Sequence, residues 1–305
     1  MARSHIIGID LGGTNLKIGL CDASCAILRK NVLSTASFEH KEHLIDSVVS
    51  SVDSMIREQG ISRSSVIGVG IGLPGPIDVE KGIVHYFPNI PGWREVCLRD
   101  ILQKRIRMRV CVDNDANLMA LAEFKAGAAR GARNAVCITL GTGVGGGLII
   151  EGRLFRGSTH AAGEVGHIPI NVDGPECGCG AFGCVESYTG NRRIAEEVRR
   201  VFRKDIPLEE VSRMARRGDP RALKIWENAG MRLGVALAGV VNLLNPDVIV
   251  IGGGVANAGR VLFNSIKKTI DCRAMPMQAR HVKVRRAELM PDAGIIGACL
   301  LVKEE

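Results

Sequence analysis

One short pattern that occurs twice constrains this chain more than anything else in it: an apolar strand, a Gly/Thr turn and a second apolar strand. The first copy occupies residues 5–20, with Gly12-Gly13-Thr14 as its turn; the second occupies 135–150, with Gly141-Thr142-Gly143 opening a glycine run that ends at Gly147. Period-two apolar residues on both sides of a tight turn read as a hairpin. Successive backbone N–H groups in such turns form concavities for phosphate, to which Thr14 adds a hydroxyl, while Asp10 can hold a cation through its waters. Gly141, Gly143 and Gly146 also fit a GxGxxG pattern, but dinucleotide binding requires a helix after the glycines. Here Leu148–Ile150 and then Glu151-Gly152 follow, so the context is a hairpin and that reading fails. Two such hairpins predict a duplicated, two-lobed α/β fold with its site in the cleft, a polyphosphate being gripped from both sides.

Residues 163–187 place His167, Cys177, Cys179 and Cys184 at the spacing His-x9-Cys-x-Cys-x4-Cys. Thiolate sulfur and imidazole nitrogen are the ligands of tetrahedral zinc, and four protein ligands leave no open position. The expectation is a structural ion tying down a glycine-rich loop that has too few apolar residues to pack itself. The bland alternative is a set of buried free thiols; three cysteines so close together, with a histidine upstream, favour the metal. Glu164 and Glu186 flank the ligands without being needed by them. A loop fixed by metal also fixes these acids, which can then present oxygens to a polar ligand.

Elsewhere, Leu44, Val48, Val52, Met55 and Ile56 fall near helical spacing. Val66–Leu73 reads as a buried strand that Pro74-Gly75-Pro76 stops in a rigid turn. Residues 87–93 read as an irregular loop in which Asn89 either bonds a pair of sugar hydroxyls or bonds its own backbone. Arg109–Val112 is a strand, and Asp113-Asn114-Asp115 leads into a helix from about Ala116 to Ala128. An acid at that point either caps the helix or takes a proton from a bound hydroxyl. Beyond residue 187, Asn191–Lys204 reads as a basic helix, and Asp219-Pro220 opens a long helix that Asn245-Pro246 ends. Val248–Ile251 is a buried strand leading to Gly252-Gly253-Gly254, where glycines admit a flat ring such as adenine or merely give a turn room. Ala293–Leu301 is a last apolar helix.

A chain of 305 residues is near the limit of a single core, which again predicts two lobes. No apolar run approaches the roughly 20 residues of a membrane helix, and MARSH leads into IIGIDLGG without a signal-peptide pattern. Ten cysteines, sparse outside the cluster, suit reduced core thiols and a cytoplasmic protein rather than a disulfide scaffold. The formal charge of +8 is spread over Lys104–Arg109, Arg192–Lys204, Arg213–Arg217 and Arg280–Arg286 with few aromatics among them. Solvated helix faces and a positive field for an anionic cosubstrate such as ATP explain that distribution, so no nucleic-acid partner is expected.

DLGGT at 10–14, GLPGPID at 72–78, FPNIPGW at 87–93, DNDAN at 113–117 and GTGVGGG at 141–147 are followed by GEVGHIPI, CGCGAFGCVES, NPDVIVIGGGV at 245–255 and DAGIIGACL at 292–300. In this order, over essentially the whole chain, they resemble the ROK family of sugar kinases and sugar-responsive repressors. The resemblance implies an actin/hexokinase-like ATPase fold of two ribonuclease-H-like α/β lobes. One lobe would be residues 1–114 plus 290–305, and the other 115–289 with the zinc loop 163–187. It implies transfer of the γ-phosphoryl group of ATP, with Mg²⁺, to a hexose hydroxyl. Asp115 becomes the general base, and Asn89, Asn114, Asp115, Glu164, His167 and Glu186 contact the sugar, His167 giving one ring nitrogen to zinc and the other to the sugar. Asp10, Gly12, Gly13 and Thr14, with Gly141, Thr142 and Gly143, serve the phosphates; Gly253 and Gly254 lie by the adenosine. Glucose phosphorylated at its 6-hydroxyl is the expected substrate, with N-acetylmannosamine, N-acetylglucosamine or fructose as alternatives. The rival class is a non-catalytic, sugar-sensing regulator; the family's repressors carry a helix-turn-helix segment before the first strand, and here four residues precede it. A homodimer or homotetramer is the expected assembly.

Overall fold

The computed structural model describes residues 4–87, 90 and 92–304. The chain opens with β1 (His5–Leu11), β2 (Asn15–Asp22) and β3 (Ile27–Ser34), then α1 (Lys41–Glu58) and β4 (Val66–Leu73). A small sheet of β5 (Ile77–Asp78), β6 (Ile83–Tyr86) and β7 (Arg94–Val96) precedes α2 (Leu98–Ile106), β8 (Val110–Asn114) and α3 (Asp115–Ala126). The opening meander then recurs as β9 (Ala135–Leu140), β10 (Val144–Ile150) and β11 (Arg153–Phe155). There follow α4 (Glu186–Thr189), α5 (Asn191–Phe202), α6 (Leu208–Arg216), α7 (Pro220–Leu244), β12 (Val248–Gly252), α8 (Arg260–Arg273), α9 (Pro276–His281), β13 (Lys283–Arg286) and α10 (Ala293–Glu304). The residues divide into two compact units. Unit 1 is 1–122, 156–162 and 291–305, and unit 2 is 123–155 and 163–290.

Each unit is built on a five-stranded sheet of the same plan. Unit 1 has the order β3-β2-β1-β4-β8 and unit 2 the order β11-β10-β9-β12-β13, in each case an antiparallel meander continued by two parallel strands. The duplicated α/β fold expected from the two hairpins is therefore present as a duplicated sheet order. β1 and β4 are buried on both faces and read as near-continuous apolar runs, as central parallel strands do. β3 carries no core signal in its sequence: Leu28 and Val32 are more than half exposed, and Arg29 and Lys30 guard the edge.

Glycine decides how the layers meet. A Cβ on Gly8 or Gly70 would collide with the carbonyl of Ile295 or Ala298, so α10 lies with its backbone directly on β1 and β4. In unit 2, Gly230 and Gly234 bring α7 against α8 in the same way, a Cβ on Gly234 falling 2.6 Å from that of Thr269. The long helix α7 begins as its sequence predicts: Asp219 Oδ1 accepts the N–H groups of Arg221 and Ala222, Pro220 takes the first position, and Asn245 ends the helix in a left-handed conformation. Several boundaries differ from expectation: β8 runs on through Asp113 and Asn114, α3 starts at Asp115 and ends at Ala126, and α5 ends at Phe202. Gly145–Gly147 belong to β10, paired with Cys137–Thr139, and are not part of the turn. Gly146 is needed there because Gly163 packs its backbone on it.

Asp247, at the head of β12, closes the base of the second sheet. Its carboxylate accepts the N–H groups of Arg133 and Asn134 at 2.8 and 2.9 Å and lies 3.0 Å from His281 Nε2. The Asn134 N–H above all, then His281, holds this carboxyl below the usual range. Among the described residues, no helix is long and apolar enough to cross a membrane.

Candidate active site and metal centre

In unit 1 the first glycine turn is held by Gly12 N–H to Asn15 O at 2.8 Å and by Thr35, whose hydroxyl donates to Gly12 O at 3.0 Å. Gly13 and Thr14 stand exposed beyond it. Asp10, at the end of β1, pairs with Lys17 Nζ at 2.9 Å, and that ammonium also donates to Pro291 O. Gly294, in the first turn of α10, approaches so closely that a Cβ would run into the Asp10 carboxyl. The positive end of a helix dipole thus faces an acid, the favourable sign.

The end of β8 separates three neighbouring polar residues by role. Asp113 is buried: one oxygen accepts Asn114 N–H and Asn117 Nδ2, and the other takes both Nε and Nη2 of Arg156 at 2.8 and 2.6 Å. Asn114 caps α3, its Oδ1 accepting from Ala116 N at 2.9 Å and from Asn117 N at 3.4 Å, while its Nδ2 donates to Gly75 O. The cap is therefore an amide and not one of the acids. Asp115 occupies the first helical position, with Oδ1 2.9 Å from Ala116 N.

In unit 2 the second turn is closed by Gly141 N–H to Gly143 O at 2.9 Å and fastened to the head of α5 by Asn191 N–H to Gly141 O. Glu186 Oε2 accepts Val144 N–H at 2.8 Å, and a Cβ on Gly143 would sit 2.5 Å from that oxygen. Glu186 Oε1 lies 3.9 Å from Cys177 Sγ. This acid consequently joins the turn to the cysteine cluster, a link between residues far apart in sequence that no local pattern announces. Gly253 has φ 86° and packs on the Leu140 carbonyl, so the join of β12 and β9 already requires glycine there. Gly254 faces open space.

His167, Cys177, Cys179 and Cys184 converge, with one ligand atom from each lying within 4.8 Å of the others. His167 Nδ1 is 3.6 Å from Cys177 Sγ, and Cys179 Sγ is 3.8 Å from Cys184 Sγ. Bond lengths to zinc of about 2.0 and 2.3 Å at tetrahedral angles give N···S and S···S edges of about 3.6 and about 3.8 Å, so the donor set fits such an ion. Loss of solvation pushes the Cys184 thiol up to about 12, whereas the Ala181 N–H pulls Cys179 down. A divalent ion held by these residues would make both of them thiolates. With Nδ1 turned to the sulfurs, His167 Nε2 points away from them and lies 3.8 Å from Glu164 Oε2.

Within unit 1, then, Asp10 stands beside the first turn, and Asn114 and Asp115 share a strand end. Within unit 2, Glu164 pairs with His167, and Glu186 pairs with the second turn. Asn89 lies outside the described residues. Sequence reasoning missed Arg156 and Lys17. Neither belongs to a motif, and each is defined by a carboxylate that it reaches only through the fold.

Known proteins of the same build are similar along the entire length. A glucokinase of Halalkalibacterium halodurans is 36% identical over 100% of this chain and 97% of its own. The N-acetylglucosamine repressor of Escherichia coli O6:H1 is 31% identical over 98% of this chain and 75% of its own. Among solved structures, a glucokinase from Streptomyces griseus in complex with glucose and AMPPNP superposes with a TM-score of 0.86 at 32% identity, covering 99% of this chain and 100% of that one. With the ROK family profile matching residues 6–305, from the second residue of β1 to the last residue of the chain, this protein belongs to the ROK family.

Proposed function

We propose that this chain is an ATP-dependent glucokinase. The observation that carries this reading is full-length relatedness at 36% identity to a glucokinase, together with a solved relative that holds glucose and an ATP analogue. The local chemistry agrees. Asn114 supplies the helix cap, and the Asp115 carboxylate, whose Oδ1 also meets Ala116 N–H at 2.9 Å, serves as general base. It takes the proton of the sugar 6-hydroxyl while O6 attacks the γ-phosphorus. The O6–P bond forms, the bond to the β–γ bridging oxygen breaks, and ADP leaves. Glu164, His167 through Nε2, Asn89 and Asn114 bond the other hydroxyls, with Glu186 contributing from the turn it fastens. A site built to bond a hydroxyl rejects a sugar that lacks it.

Each glycine turn, at 12–14 and at 141–143, offers backbone N–H groups suited to phosphate oxygens, and Gly254 offers an open glycine face suited to the adenosine. Asp10 is the residue that would hold Mg²⁺, which when bound neutralises charge on the β- and γ-phosphates. Zinc in the His167, Cys177, Cys179, Cys184 set supplies fixed geometry for the loop carrying Glu164 and Glu186. A reducing compartment suits ten cysteines of which none is in a disulfide, and a homo-oligomer is the expected assembly.

The test is ATP consumption with glucose, mannose, fructose, allose, N-acetylglucosamine and N-acetylmannosamine, the phosphorylated position being read by NMR. Glucose should give the highest kcat/KM and glucose 6-phosphate the product. Preference for an acetamido sugar would replace glucose and keep the kinase. Tight sugar binding without ATP consumption would favour a sugar-sensing regulator, the class to which the Escherichia coli relative's name points.

A further inference from the structure

The short segment Arg156–Ala162 belongs to unit 1, although the chain before Arg156 and after Ala162 belongs to unit 2. It closes on itself through Ala162 N–H to Arg156 O at 3.0 Å and turns through left-handed residues at Gly157 (φ 70°) and His160 (φ 58°). Among the described residues, two ion pairs link its side chains to the rest of unit 1. His160 Nε2 is a loose 4.0 Å from Glu80 Oε1, whereas Arg156 makes the two short bonds to Asp113. Asp113 is 1% exposed and Arg156 25%. A carboxylate so desolvated is costly unless a cation meets it, and a planar guanidinium is the cation that can send two N–H groups in one direction. The other Asp113 oxygen holds Asn114 N–H at 2.7 Å, directly before Asp115. At the other end of the segment Gly163 (φ 98°) packs on Gly146, and Glu164 follows at once.

We propose that Arg156 is a positioning residue for phosphoryl transfer. Its guanidinium neutralises Asp113, so that the strand end keeps Asn114 and Asp115 in place, and it anchors the segment from which the chain runs into Glu164 and His167. The inference rests on the kinase reading and adds to it a residue that touches neither sugar nor nucleotide. Arg156→Ala should lose at least about 30-fold in kcat/KM for glucose, while KM for ATP stays within about twofold, because misplacement penalises the reacting end of the site. Millimolar methylguanidinium should restore part of that activity and methylammonium should not, since a point charge cannot supply the fork. Arg156→Lys, which keeps the charge, should fall between wild type and Arg156→Ala and covers the case in which the alanine variant does not fold.

Amide exchange measured without any substrate should rise in segments 113–117 and 157–167 and hardly elsewhere. That readout needs no turnover. If the wild-type chain phosphorylates no sugar, the kinase reading fails by itself, and the anchor is judged on exchange alone. Unchanged kcat/KM in Arg156→Ala, a loss that methylguanidinium leaves untouched, or unchanged exchange in both segments would each overturn the proposal.

Discussion

Asn114 and Asp115 are neighbours whose substitutions should have separable effects. Asn114→Ala removes the acceptor for the first amides of α3 and the bond to Gly75 O, so it should cost about 1 kcal/mol or somewhat more and lower Tm. Asp115→Asn preserves shape and leaves the cap alone but cannot take up a proton. It should keep its Tm and its KM for glucose while kcat falls by about 10²–10⁴. Parallel melting curves and steady-state kinetics of the two variants check this; an Asp115→Asn enzyme with nearly full kcat would remove Asp115 from the role of base. The sequence alone could not assign the cap, because Asp113, Asn114 and Asp115 are all good N-caps. The geometry decides through Arg156, which commits Asp113 elsewhere.

At the scale of elements, the loop 163–187 has little regular pairing of its own. Two isolated bridges, Pro169 to Cys184 and Glu176 to Phe182, are its only β pairing among the described residues, and Phe182 and Val172 are exposed. Cys179→Ser should therefore release the metal, as elemental analysis would read, lower Tm by several degrees, and reduce activity through Glu164 and Glu186. An active wild-type protein that contains no metal would defeat the zinc assignment. The convergence of His167, Cys177, Cys179 and Cys184 was legible because they lie in one stretch at close spacing. The clamp from Glu186 to Val144 was not legible, since its partners are 42 residues apart. Helix α8 was equally hidden, because Arg260 and the lysines at 267 and 268 dilute its apolar face. Gly8 in β1 and Gly70 in β4 leave the room in which the backbone of α10 lies. Gly70→Ala should accordingly cost about 1–3 kcal/mol despite adding one methyl group, because the Ala298 carbonyl it meets belongs to a helix backbone that cannot step aside. A denaturant midpoint equal to wild type would show that α10 has more freedom than this packing implies.

For the molecule as a whole, the duplicated sheet order was legible from two hairpins because each combines a strand period with a glycine turn, a pairing that few other folds need. The closure of the second sheet was not legible, since it depends on Asp247 reaching the heads of β9 and β12 and the end of α9 at once. That closure should control behaviour in acid. The Asp247 carboxyl is held below its ordinary value, chiefly by the Asn134 N–H, so the folded state releases this proton more readily than the unfolded chain. Its contribution is then fully present above the unfolded value of about 3.9 and is lost as pH falls through the lower folded value. With the side chain 37% exposed, solvent screens the interaction, and its size is to be measured rather than inferred from the shift. Asp247→Asn retains one acceptor oxygen but no charge. It should be less stable than wild type at neutral pH, and the gap between their urea midpoints should narrow as wild type is acidified below about pH 4. Curves that stay parallel through that window would mean that the Asp247 charge contributes nothing to closing the sheet.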